Sequence, residues 1–305
     1  MRQTRRFLRS LCLPLLRKYD KIYSSIRKDR VYMSKNVRNG IVKIGDTDMY
    51  YAAFGTGEKR LVVLPGLSDG FATVDGKAWL LGAPYKKFFK DYTVYMFSRK
   101  NKMHEGYSIR EMASDQVLAM KELGMEKASV LGVSQGGMVA QFVAIDHPEI
   151  VERLILTVTA PYANDVVKDA VGGWIEMAKR DDYLKLMEDT ANKMYSDAFL
   201  KKNKLMLPLV ARLTKPKSYD RFYINAHAIL NFDARQYLNK ISAPTLIIAG
   251  DNDKTVGNDG PKEMSAAIPN NEVYIYKGLG HGVHEEAKDF YDRVYEFCEK
   301  GIQSV

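Results

Sequence analysis

From residue 40 onward the hydrophobic positions fall into short apolar runs separated by polar, glycine-bearing turns. Ile41–Ile44 and Met49–Phe54 flank Gly45-Asp46-Thr47-Asp48, which predicts a β-hairpin. Further apolar runs predict strands at Leu61–Leu64, Val94–Phe97, Ala128–Val133, Leu154–Thr159, Thr245–Ala249 and Val273–Tyr276. Between some of them the apolar period lengthens to that of a helix. Ser108-Ile109-Arg110-Glu111 is a capping box. It opens a helix that places Ile109, Met112, Val117, Met120 and Leu123 near one face and ends at Gly124. A second helix is expected at Gln135–His147, stopped by Pro148. A last one is expected from Glu286 to Glu299, with Phe290, Val294 and Phe297 on its inner face. Short all-apolar strands alternating with amphipathic helices imply an α/β fold with a mostly parallel sheet covered on both sides.

Between Thr159 and Pro244 the strand pattern lapses. The residues there predict helices rich in Met, Tyr and Lys, among them Trp174, Met177, Met187, Met194, Tyr195 and Met206. The expected organisation is therefore a core of residues 40–160 and 236–305 interrupted by a helical insertion at 161–235. The first 33 residues differ in composition and read as an appended basic arm. That arm fits an amphipathic helix on anionic lipid, a disordered tail, or sequence upstream of a true translation start at Met33.

Charge sharpens this division. The chain of 305 residues has a formal net charge of +9. Residues 1–30 hold ten Lys/Arg and two Asp, a net of +8, and the remainder carries +1. A nucleic-acid groove would leave a basic excess in the folded body, so no nucleic-acid partner is expected. Peripheral contact with an anionic membrane is expected only through residues 1–30. Cys12 and Cys298 give neither a disulfide framework nor a metal pattern, which points to a reducing cytoplasm. Arg9 and Pro14 interrupt the signal-like stretch Phe7 to Leu16, and no run is long and apolar enough to predict a membrane span.

The strongest chemical signal is Gly132-Val133-Ser134-Gln135-Gly136, a G-x-S-x-G placed between a predicted strand and a predicted helix. That context puts Ser134 on a sharp turn with its hydroxyl above the sheet. A serine hydroxyl needs a base, and the base needs an acid to orient it. Asp251 and Asp253 follow one late strand, and His281 follows the next. Both therefore fall beyond carboxyl ends of strands, where parallel-sheet enzymes keep their ligands. His104, His147 and His227 stand in no partner motif, and His284 reads as a first-turn helix residue.

With these motifs in order, the chain resembles α/β-hydrolase-fold enzymes of the lid-bearing esterase type over residues 40–300. The resemblance implies that the acid is Asp253, second aspartate of Gly250-Asp251-Asn252-Asp253. It implies that the base is His281 of Gly278-Leu279-Gly280-His281. Asp251 then reads as a turn-former. The oxyanion hole would use the backbone amides of Gln135 and of Leu67, in Pro65-Gly66-Leu67-Ser68-Asp69-Gly70. Relatives commonly have His-Gly where this chain has Pro65-Gly66. Of their Asp-x-Arg-Gly-x-Gly-x-Ser segment only Arg99 and Gly106-Tyr107-Ser108 survive. The expected activity is hydrolysis of carboxylic esters through an acyl-enzyme, on a small acyl substrate, with no metal or organic cofactor. The same residues would also serve amide, thioester or carbon–carbon cleavage, or a receptor that binds a small molecule without turnover.

Overall fold

The computed structural model describes residues 36–203 and 207–300. Its strands are β1 (Val37–Ile44), β2 (Thr47–Phe54), β3 (Lys59–Leu64), β4 (Tyr92–Phe97), β5 (Ala128–Val133), β6 (Val151–Thr157), β7 (Thr245–Gly250) and β8 (Asn271–Tyr276). Its helices are α1 (Ala78–Leu81), α2 (Ile109–Glu122), α3 (Gln135–Asp146), α4 (Asp165–Lys179), α5 (Tyr183–Met194), α6 (Asp197–Asn203), α7 (Leu207–Thr214), α8 (Asp220–Leu230), α9 (Gly260–Ala267), α10 (Val283–Glu286) and α11 (Phe290–Glu299). The strands form one sheet in the order β1-β2-β4-β3-β5-β6-β7-β8. The β1–β2 and β2–β4 pairs are antiparallel and every later pair is parallel.

The apolar runs fill both faces because successive strand side chains point to opposite sides. Val62, Leu64, Val130, Leu154 and Leu156 lie on the side of α2 and α3, whose Met112, Val117, Met120, Val139 and Val143 are buried with them. Leu61, Val63, Leu131, Ile155, Leu246 and Ile248 face the other way, with Phe290, Val294 and Phe297 of α11. Full burial of one such side chain contributes about 1.5–3 kcal/mol. The capping box closes as its spacing predicts. Ser108 Oγ accepts from the Glu111 amide at 3.2 Å, and a Glu111 carboxylate oxygen accepts from the Ser108 amide at 2.8 Å.

Several strands begin a few residues before their apolar runs, and other boundaries differ from the sequence expectation for identifiable reasons. The hairpin turn is only Gly45-Asp46, since Ile44 pairs with Thr47 and the strands run on to the bend. Helix α3 ends at Asp146 because His147 precedes a proline, which disfavours helical backbone there. β6 ends at Thr157 and the chain leaves it through Val158 at φ 44. The last helix is two pieces, with Ala287 extended between them. The Glu286 carboxylate is drawn instead to Ser196, accepting from its hydroxyl at 2.5 Å and its amide at 3.0 Å. β8 is an edge strand, so its apolar Val273 and Ile275 stay part-exposed.

Helices α4 to α8 occupy the stretch between β6 and β7 where no strand was expected. The two ends of this insertion meet. Ala163 donates to the Phe232 carbonyl at 2.9 Å, and Ala234 donates to that of Pro161 at 2.8 Å. The expected basic arm, residues 1–33, lies outside the described residues. Among the described residues no helix is long and apolar enough to cross a membrane.

Candidate active site

β5 delivers the chain to Ser134, whose backbone sits at φ 55 and ψ −120 before α3 begins at Gln135. A non-glycine residue in that region is strained and persists only where its surroundings hold it. Here they do. The Ser134 amide donates to the Thr157 carbonyl at 2.9 Å. Its carbonyl accepts from the Gly137 amide at 2.8 Å and from the Thr159 hydroxyl at 2.8 Å. The helix can follow so tightly only because Gly132 and Gly136 lack side chains. A Cβ on Gly132 would stand 2.4 Å from the Gly136 carbonyl oxygen.

The aspartate and histidine arrive on loops beyond β7 and β8. Asp253 Oδ1 accepts from the amides of Thr255 at 2.8 Å and Val256 at 3.0 Å. That leaves Oδ2 for His281 Nδ1, at 2.8 Å. On the far side of the ring, Nε2 lies 2.8 Å from Ser134 Oγ. A carboxylate can only accept, so Nδ1 carries the proton and Nε2 accepts from the serine hydroxyl. Asp253 and His281 are both buried, each 4% exposed. Water therefore competes little for the bonds between them.

The other candidates separate cleanly. Asp251 points away and accepts from the Gly278 amide at 2.6 Å, a turn bond. His104 and His147 pair with Glu111 and Glu149 at the surface. His284 lies in the short helix α10 beside Phe290. Burial holds its imidazole below the usual range, opposed by Glu285 and reinforced by His281. Among the described residues no group of three or more His, Cys, Asp or Glu is arranged to hold a metal ion.

Leu67 opens a short 3-10 turn and Gln135 opens α3, so both amides occupy positions with no acceptor inside their own helix. The loop between β3 and this turn packs against the serine. A Cβ on Gly66 would lie 3.2 Å from that of Ser134.

Residues to which the sequence assigned no role surround this loop. Arg99 is 1% exposed and donates to the Pro65 carbonyl at 2.8 Å and to Gln135 Oε1 at 3.2 Å. Asp69 is likewise buried and receives Arg221, from α8, at 2.6 Å. Arg99 had shown itself as a surviving motif arginine and Asp69 as a loop residue. Arg221 carries no sequence signal, because its partners are far away along the chain.

A doubly covered sheet with a serine, histidine and aspartate joined above it defines the α/β-hydrolase class. The chain matches the family model described as alpha/beta hydrolase fold over residues 90–288, and it belongs to that family. Proline iminopeptidase PfmaB of Pestalotiopsis fici is 25% identical over 274 residues, covering 81% of this chain and 94% of that protein. A 2-hydroxy-6-oxononadienedioate/2-hydroxy-6-oxononatrienedioate hydrolase of Pseudomonas putida is 25% identical over 277 residues, covering 83% and 92%. Among solved structures, the esterase EaEST of Exiguobacterium antarcticum aligns with a TM-score of 0.74 at 20% identity, over 86% of this chain and all of that one. The chain is thus a hydrolase of this fold, similar to relatives whose names span several bond types.

Proposed function

We propose that the protein is a serine hydrolase of carboxylic esters, with Ser134 as nucleophile, His281 as general base and Asp253 as its orienting acid. One observation carries this reading: the unbroken hydrogen-bonded line from Ser134 Oγ through His281 to Asp253, with the serine held at a positive φ. His281 Nε2 takes the hydroxyl proton as Oγ attacks the ester carbonyl. Asp253 stabilises the imidazolium, and the Leu67 and Gln135 amides receive the developing oxyanion. The imidazolium then gives its proton to the departing alkoxide, leaving an acyl-enzyme. A water, deprotonated by His281, attacks the acyl carbon and releases the acid and free serine.

An ester is favoured over an amide or carbon–carbon bond because an alkoxide leaves with the least assistance. The relatives' names, a peptidase and an oxo-dienedioate hydrolase, set the competing outcomes. In this reading α4 to α8 form the lid over the site. No cofactor is required by these steps. Cys298 is a free, buried thiol, in keeping with a cytoplasmic location, and residues 1–30, at +8, would touch anionic lipid.

The test is labelling by a fluorophosphonate together with turnover of p-nitrophenyl esters of increasing acyl length. Wild type should take the label and hydrolyse the esters. Ser134→Ala should do neither while unfolding at the same temperature. Full activity in Ser134→Ala would overturn the mechanism. Label without turnover of any ester would move the reading to another bond, or to a receptor.

A further inference from the structure

We infer that Arg221, with Arg99 and Asp69, positions the oxyanion hole, so that α8, the last helix of the proposed lid, is anchored to the site and does not move with the other lid helices. This rests on the hydrolase reading above.

The Leu67 amide lies in a bend held at both ends by guanidinium groups. On one side Arg99 Nη2 donates to the Pro65 carbonyl at 2.8 Å. On the other, Arg221 Nε donates to the Asp69 carbonyl at 2.9 Å, and its Nη2 donates to the Asp69 carboxylate at 2.6 Å. The same carboxylate oxygen accepts from the Arg99 amide at 2.9 Å. Arg221 also donates to the carbonyls of Arg99 at 2.7 Å and Lys100 at 2.9 Å, which fixes the strand-end segment that carries Arg99.

The second donor is tied into the same assembly. The Gln135 side chain accepts from Arg99 Nη2 at 3.2 Å and donates to the Asn225 carbonyl at 2.9 Å. Asn225 stands one helical turn beyond Arg221 and donates to its carbonyl at 2.8 Å. Helix α8 therefore holds Gln135 directly, through the Asn225 carbonyl, and the bend that carries Leu67 through Asp69. Its backbone closes on the loop as well, since a Cβ on Gly70 would lie 2.9 Å from Phe222 Cα, and Phe222 stacks on Phe71 at 4.6 Å.

The chemistry of this cluster argues for positioning. Burying ions is costly, and well-packed apolar side chains would often give equal or greater stability. Yet Asp69 and Arg99 are almost wholly enclosed, and Arg99 Nε and Nη1 and Asp69 Oδ1 find no partner within the protein. Burial draws the Arg99 guanidinium down to about 10, Asp69 opposing and Arg221 adding, so it stays charged near neutrality. A planar fork reaching three carbonyls and a carboxylate is a task for arginine that lysine's single ammonium does not match.

The test compares Arg221→Gln, Arg221→Lys and Asp69→Asn with wild type in the full-length protein. Active sites are counted with a fluorophosphonate, kcat and KM are measured on a p-nitrophenyl ester, and the inhibition constant of an alkyl boronic acid reports oxyanion binding. Deleting an oxyanion donor outright costs about 10²–10³ in kcat, so displacing one should cost roughly 10- to 100-fold per titrated site. KM should stay within about threefold, and boronate affinity should fall in step with kcat/KM. Arg221→Lys should recover only part of the loss. If Arg221→Gln does not fold, Arg221→Lys and Asp69→Asn carry the same comparison. Wild-type kcat per titrated site, with the damage confined to melting temperature or yield, would overturn the inference. Wild type that takes no label and turns over no ester would overturn the hydrolase reading and the inference with it.

Discussion

Gly136 and Leu64 come so close that a Cβ on the glycine would stand 1.8 Å from the Leu64 carbonyl oxygen. This approach sets α3 against the end of β3, and hence the serine turn against the loop that carries Leu67. Gly136→Ala must push backbone from backbone, which no rotamer change can relieve. It should destabilise the protein by about 3 kcal/mol, at the upper end of overpacking costs. Urea unfolding would measure the loss, and ester turnover should fall further than the folded fraction does.

The two aspartates of the β7 loop should separate by mutation. Asp253→Asn keeps the shape but loses the charge that fixes the His281 tautomer, and should lower kcat by roughly 10⁴. Asp251→Ala removes one turn bond to Gly278, worth about 1 kcal/mol, and should leave kcat within about fivefold. Steady-state kinetics on one ester would check both. Equal losses would reassign the acid.

His284 predicts a stability change with pH. Burial holds its folded-state pKa below the ordinary 6.5. Between those two values the unfolded chain binds a proton that the folded chain does not. Stability therefore rises with pH through that window and is lost as pH falls below 6.5. Melting temperatures taken from about pH 7.5 down to about pH 5.5 should fall more steeply for wild type than for His284→Gln.

Helices α6 and α7 should be the first part of the insertion to yield to protease. α6 buries none of its residues and α7 buries only Ala211, while Leu209 and Leu213 are 53% and 76% exposed. Segments with so little buried contact open at low cost. Brief trypsin digestion should cut at Lys201, Lys202, Arg212 or Lys217 before any site in α8 or α11, as mass spectrometry of the fragments would show.

The eight described strands were legible as short apolar or alternating runs, the central ones because a doubly covered sheet demands apolar residues on both faces. The serine turn was legible because Gly132 and Gly136 answer to backbone clashes that no other residue avoids. The order of serine, aspartate and histidine along the chain placed them at strand ends that the fold then brought together. What stayed hidden was long-range. Arg221 meets Asp69 across 152 positions, and Thr159 supports the Ser134 carbonyl from a strand end that the apolar pattern extended too far. The split of the last helix was hidden likewise, since Glu286 answers to Ser196 and not to its own helical period.

The joined ends of the insertion have a consequence for how such a protein can change. With Pro161–Ala163 and Phe232–Ala234 side by side, the sheet does not register how long the intervening chain is, so that stretch is open to exchange by recombination or design. The grip of α8 on the loop at Asp69 sets a limit to this freedom, as does the Ser196 tie to Glu286. A graft replacing the whole insertion would sever both ties. A graft confined to α7 would keep them.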